Sequence, residues 1–387
     1  MLIEIKGVQF VNKGAGLMLR AVVDRLRAMV PGVEFALTPG PNAPFQRIAA
    51  SGAWQRLRLP GAPLDADALS YRLPQRLRSV LRRHGMVTEV DVDAVLDASG
   101  YAYGDAWGDA PLESAAREIE RLADHGKPYV FLPQAFGPFA GTAATRHFGL
   151  ALSKAALVCA RDARSREHLA RVAPAVGATI EMYPDFTLTV PGDPQAAAKW
   201  GVDQRTALII PNAEMQGARN PDATARSGYA ALLQALARRL HELGYLPRVL
   251  NHEGAADAAL CESLRAAIDG APVIEEDDPV ALKGVIGAAG LVVASRFHGC
   301  ANALSQAVPC LATAWSHKYG QLFADFGVGE YVLESGDAAA GIARLEALVA
   351  NREAVRHALE SRQPALAART EEMWRRVATA LGIADGP

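Results

Sequence analysis

The sequence predicts an α/β protein built from two Rossmann-like domains whose parallel sheets face a cleft. Three observations carry this expectation. Short apolar runs alternate with helical stretches at the spacing of βαβ units, which form parallel sheets. The alternation breaks at Pro191-Gly192-Asp193-Pro194, a strong linker signal, and then restarts. The length of 387 residues suits two domains of ordinary size better than one. The expected division is 1–192 and 195–387.

The elements follow in order. Leu2–Val8 reads as a strand, Asn12–Gly16 as a loop, Leu17–Met29 as a helix and Val33–Thr38 as a second strand. Pro39 to about Asp91 is rich in Pro, Arg and Ala and poorly periodic, which predicts loops and helical excursions. Ala94–Ala98 is a buried strand, followed by the Gly-containing loop Ser99–Asp105. A helix over Glu113–His125 leads to strands at Tyr129–Pro133, Leu157–Ala160 and Thr179–Tyr183. After the break come strands at Ala207–Ile210, Leu246–Leu250, Leu291–Ala294 and Cys310–Thr313. Tyr229, Leu232, Leu233, Leu236, Leu240 and Leu243 fall on one helical face. Cys300–Ala307 reads as a helix, and Arg352–Leu381 as a terminal helix that could pack back across the first domain.

Composition narrows the function classes. A net charge of −2 gives no nucleic-acid footprint. The four cysteines show no C-x-x-C pairing and read as buried reduced thiols of a cytoplasmic protein. Met1–Lys6 reads as a strand rather than a signal peptide, and no run approaches a membrane span. Segment 72–83 interleaves Arg with Leu and Val. Its first reading is an amphipathic helix with a solvated face. Its second is peripheral contact with the inner face of a membrane or with an anionic lipid-linked substrate.

The chemistry concentrates where strands end. Ser295-Arg296-Phe297-His298-Gly299 stands between an apolar strand and a small-residue helix, the crevice where open α/β sheets bind ligands. A helix N-terminus there offers free N–H groups, Arg296 adds a charge, and His298 can move a proton near neutral pH. His317 and Lys318 close the next strand. Asn212 and His252 also follow strands, as do Asp185, Asp105 and Arg161. Asp105 reads either as a general base for a sugar hydroxyl or as a helix cap. Arg161 reads as an anion-binding fork or as a local salt-bridge partner, with Asp162 a helix cap. Asn12-Lys13-Gly14 resembles a phosphate loop but is neither a P-loop nor G-x-G-x-x-G, so a structural turn stands beside a ligand contact. No metal-ligand set emerges from the nine histidines.

Taken together these residues resemble the polysaccharide pyruvyl transferase family. The match is strongest in Ala294–Gly299 through Pro309, Trp315–Lys318 and Phe326-Gly327. It extends to Gly7–Gly14, Gly137-Pro138, Arg161–Ser165 and Asp185. The resemblance implies a GT-B-like fold and transfer of the pyruvyl group of phosphoenolpyruvate to a sugar diol, with ketal formation and phosphate release. It implies that Arg296 and His298 contact phosphoenolpyruvate, His298 in the proton chemistry, and that Lys318 and Arg161 hold its anionic groups. Asp105 matches the acid ending the family's Gly-rich loop, although that loop here reads Ser99-Gly100-Tyr101. The expected partners are phosphoenolpyruvate and a sugar or lipid-linked oligosaccharide acceptor, with no cofactor and no metal. Two alternatives stand beside this reading: a nucleotide-sugar glycosyltransferase of the same fold, and a non-catalytic protein that binds an anionic sugar.

Overall fold

The structure is a computed structural model that describes residues 1–58, 66–173, 180–218, 220, 222–268, 270, 272–314, 318–333 and 336–383. By internal contacts the chain forms two units. One comprises Met1–Phe10, Met18–Tyr183 and Glu371–Pro387, the other Val11–Leu17 and Pro184–Thr370.

The first unit holds β1 (Leu2–Lys6), β2 (Glu34–Leu37), β3 (Trp54–Arg56), β4 (Met86–Val87), β5 (Ala94–Asp97), β6 (Tyr101–Tyr103), β7 (Tyr129–Phe136), β8 (Leu157–Ala160) and β9 (Ile180–Met182). They pair in parallel in the order β4-β3-β2-β1-β5-β7-β8-β9, with β6 beside β7. The strand order reverses between β1 and β5, where Ile5 stands opposite Leu96. Gly7 follows β1 at φ +74°, and a Cβ there would lie 2.2 Å from Ser99 Cα. Only glycine lets the two chains pass so closely at that reversal.

The second unit holds β10 (Thr206–Ile210), β11 (Leu246–Val249), β12 (Leu291–Ala294), β13 (Cys310–Thr313) and β14 (Val332–Leu333), in the parallel order β11-β10-β12-β13-β14. Strands β10, β12 and β13 are buried throughout, as parallel strands covered on both faces must be. The helix Ala223–Glu242 lays Tyr229, Leu232, Leu233, Leu236 and Leu240 into this core, while Leu243 stands just past its end.

The structure departs from the sequence expectation in several places; the expected loop Ser99–Asp105, for one, holds β6, and β14 was not expected. The irregular stretch before Asp91 contributes β3 and β4, too short to show a period of two. Asn12–Gly16 is not a loop: Lys13 opens the helix Lys13–Met29, and the Asn12 side-chain oxygen accepts from the N–H groups of Gly14 and Ala15 at 2.9 and 3.2 Å. The segment Pro191–Pro194, read as a linker, packs within the second unit. Asp193 N–H donates to Val280 O at 3.0 Å, and a Cβ on Gly284 would lie 1.8 Å from Asp193 O. The four cysteines are buried and unpaired, and no described helix is long and apolar enough to cross a membrane.

Candidate functional site

In the second sheet the strand order reverses between β10 and β12, so the ends of these strands flank the crevice expected to take a ligand. The two ends are locked together. Asn212 Nδ2 donates to Ser295 O at 3.0 Å, and its Oδ1 accepts from Glu214 N–H at 2.9 Å. Asn212 N–H donates to the Tyr229 hydroxyl at 3.0 Å, which in turn donates to Ser295 Oγ, itself bonded to Thr313 Oγ1. Tyr319 Oη closes on Ser295 O at 2.8 Å. Asn212, expected as a ligand contact, therefore has both ends of its amide engaged in holding the frame. The sequence offered the strand-end position but not these partners.

On this frame the helix Phe297–Leu304 begins. Arg296 stands at its N-cap without a side-chain cap to its N–H groups. Gly299 lets the helix approach β10, since a Cβ there would come within 3.1 Å of Ile210 Cδ1. His298 then sits on the first turn, with Nε2 3.6 Å from Asp185 Oδ2. Asp185 is fixed by its other oxygen, which caps the short turn Phe186–Thr189 through Thr187 N–H at 2.9 Å. Lys283 secures the same turn by donating to Thr187 O at 2.9 Å and Leu188 O at 3.3 Å. Burial holds the Lys283 ammonium down to about 7.

The imidazole of His298 lies against the Gly14 backbone: a Cβ on Gly14 would stand 2.2 Å from its Nδ1. This explains a glycine in the first turn of a helix, where glycine is a poor helix former. Elsewhere in a helix, Gly→Ala stabilises by up to about 1 kcal/mol. Here Gly14→Ala is expected to destabilise by roughly 1–3 kcal/mol, because the ring must move. Urea unfolding checks the sign, and a gain in stability would show that the ring is not seated on Gly14.

His252 follows β11 and is 1 % exposed, with neither ring nitrogen in hydrogen-bonding geometry to a protein group. Burial first, then the nearby Arg296, His298 and Lys13 charges, hold its pKa well below the ordinary value, so the ring is neutral. A buried imidazole with an open donor and acceptor is a ready contact for a polar ligand. Lys13 binds Asp277 Oδ1 at 2.7 Å, and its N–H donates to His252 O at 3.3 Å.

Arg296 is engaged on two sides. Its Nε and Nη2 form a fork with Asp257 at 2.9 and 2.6 Å, and its Nη1 meets Glu253. Burial pushes the Arg296 guanidinium down to about 10 and the Asp257 carboxyl up to about 6. Lys318 opens the helix Lys318–Asp325 with its ammonium 5.7 Å from the Phe297 ring centre and 5.6 Å from that of Tyr319. His317 lies outside the described residues. Among the described residues no group of three His, Cys, Asp or Glu is placed to hold a metal.

Asp105 and Arg161 belong to the first unit. Asp105 is exposed, and its carboxylate accepts from Ala140 N–H at 2.8 Å rather than capping the next helix. Arg161 is buried and reaches Gly100 O at 3.3 Å, while Asp162 caps the helix Ala163–Val172 through Ser165 N–H at 2.7 Å. Sequence reasoning passed over Asp97, which ends β5 at the strand reversal of the first sheet. It is fully buried and accepts from the hydroxyls of Tyr103 and Tyr129 at 2.5 and 2.7 Å and from Ser99 N–H at 3.0 Å. An acid closing an apolar strand, two residues before Ser99-Gly100, was the available signal. Asp185 was noted after its strand, but its facing of His298 was not readable.

Comparison with known proteins places this geometry in context. The polysaccharide pyruvyl transferase family model matches residues 12–317. No curated protein matches the sequence. Solved structures match over nearly the whole chain at low identity. A candidate UDP-N-acetylglucosamine 2-epimerase from Listeria monocytogenes superposes with a TM-score of 0.61 and 13 % identity, over 99 % of this chain and 97 % of that one. UDP-GlcNAc 2-epimerase from Neisseria meningitidis, bound to UDP-GlcNAc, gives 0.58 and 10 %, over 98 % and 99 %. HepE from Anabaena in complex with UDP-glucose gives 0.57 and 12 %, over 98 % and 99 %. At such identities the likeness concerns the fold, which is of the GT-B type with two Rossmann-like units.

Proposed function

This chain belongs to the polysaccharide pyruvyl transferase family, and from that membership and the His298 pocket we propose that it transfers the pyruvyl group of phosphoenolpyruvate to two hydroxyls of a sugar. The observation that carries this reading is His298, backed by Asp185, seated on Gly14 and surrounded by Lys13, His252 and Arg296.

The donor presents a phosphate and a carboxylate, so it needs cations and N–H groups on one side. Lys13, Lys318 and the uncapped N–H groups of the helix Phe297–Leu304 supply them, with Asn12 and Gly14 as neighbouring backbone. Arg296 keeps its fork on Asp257. Glu253 is the partner a donor carboxylate would displace from Nη1. Neutral His252 donates one hydrogen bond to the donor. His298, protonated and steadied by Asp185, delivers its proton to the methylene carbon as an acceptor hydroxyl oxygen bonds to C2. Cleavage of the C2–O bond then releases phosphate, and the second hydroxyl closes the ketal as its proton passes to the now neutral His298 imidazole. Asp105 as base for the acceptor and Arg161 as a further anion ligand complete the proposed set. The reaction takes place in the cytoplasm on a sugar or lipid-linked oligosaccharide and uses no cofactor.

The test is phosphate release from phosphoenolpyruvate in the presence of candidate acceptors, with mass spectrometry of the product. A sugar heavier by one pyruvyl group, formed equally after EDTA treatment, is the expected result. Turnover only with a nucleotide sugar, or only with added Mg²⁺ or Mn²⁺, would refute the reading.

A further inference from the structure

We propose that the outward stripe of the helix Gln75–Arg83 docks the protein on an anionic lipid surface. This helix does not behave as a surface amphipathic helix of a globular domain should. None of its residues is buried, and two of its three apolar side chains are turned to solvent, Leu77 at 47 % and Val80 at 46 % exposure, while Leu81 is half-buried. The helix is fastened by its other side. Arg78 bonds Asp91 at 2.8 Å. Arg82 bonds Glu34 at 2.8 Å and lies 4.8 Å over the Trp54 ring. Just ahead of it, Tyr71 stacks on His125 at 3.7 Å.

Steps of three and four residues then put Arg76, Leu77, Val80 and Arg83 together on the outer face. Among the described residues, Arg76 and Arg83 make no ion pair, and the helix contains four arginines and no acid. On the preceding helix Ala66–Ser70, Leu69 is likewise 45 % exposed.

An apolar stripe bordered by arginines fits the boundary between headgroups and acyl chains. Leu and Val enter it while the guanidinium groups stay with the phosphates. A second copy of the chain is a poor occupant, because a symmetric contact would set two all-positive faces against each other. Nucleic acid is a poor one as well. The stripe offers no aromatic side chain for stacking, and the whole chain carries a net charge of −2.

The experiment is co-sedimentation of the full-length protein with vesicles of phosphatidylcholine alone and of phosphatidylcholine mixed with phosphatidylglycerol. Binding is expected only to the mixed vesicles, with release at high salt. Leu77→Glu with Val80→Glu, and separately Arg76→Glu with Arg83→Glu, should each weaken binding roughly tenfold or more. Thermal unfolding should stay unchanged, since these side chains are exposed. Absence of binding to the mixed vesicles, equal binding to both kinds, or unaltered binding by either double variant overturns the proposal. So does displacement of the protein from vesicles by a short RNA.

Discussion

On the proposed reaction, His298→Ala is expected to lower phosphoenolpyruvate-dependent turnover by roughly 10²–10⁴-fold, the range for loss of a positioned acid, and to leave thermal unfolding essentially where it was. The strand ends are closed by hydrogen bonds among Asn212, Tyr229, Ser295 and Thr313, which the substitution leaves in place. Asp185→Asn is the sharper companion. An Asn can still cap Thr187 N–H, so the turn survives, but the carboxylate 3.6 Å from His298 Nε2 loses its charge. Turnover should fall about tenfold or more, with little change in KM, because a neutral partner no longer favours the protonated ring. If His298→Ala turned over near the wild-type rate, the proposed proton donor would have to be sought elsewhere. If Asp185→Asn raised KM alone, Asp185 would act on binding rather than on the proton.

Arg56→Met is expected to destabilise the protein by about 3–5 kcal/mol, the cost of removing one partner from a buried ionic cluster. Arg56 is 1 % exposed and bonds Glu4 at 2.9 Å, Glu89 at 3.0 Å and Asp67 at 3.0 Å. Arg121 continues to serve Glu89 at 2.5 and 2.6 Å, so the main orphan is Glu4 in the middle of β1. Burial already raises the Glu4 pKa above its ordinary value, with Arg56 opposing. The sign for pH follows. A carboxyl whose folded pKa is raised binds more protons in the native state, so stability falls as pH rises from the unfolded value toward the folded one. Removing Arg56 lifts the folded value further and widens that window. The loss in Arg56→Met should therefore be smallest in mild acid and grow toward neutral pH, and Glu4→Gln in the same chain should recover part of it. Urea titrations at several pH values measure both effects. A loss under about 1 kcal/mol, or one independent of pH, would mean that the cluster is not held by Arg56.

The sequence by itself determined the fold class, because parallel strands buried on both faces must be written as short apolar runs. Leu157–Ala160, Leu291–Ala294 and Cys310–Thr313 match their predicted limits. It also determined where to look, since Arg296 and His298 stand directly after such a run. Three things were decided only in three dimensions. One is which strands lie at the order reversals, and hence that Asp97 and Asn212 flank them. Another is which long-range partners the polar residues find: Asp257 for Arg296, Asp185 for His298, Glu4 for Arg56. The third is that Gly14, 284 residues before His298, is glycine because an imidazole rests on it. The physical reason is common to all three. Apolar periodicity is local and survives in one dimension, whereas hydrogen bonds, ion pairs and close approaches join residues whose separation along the chain carries no signal of their meeting.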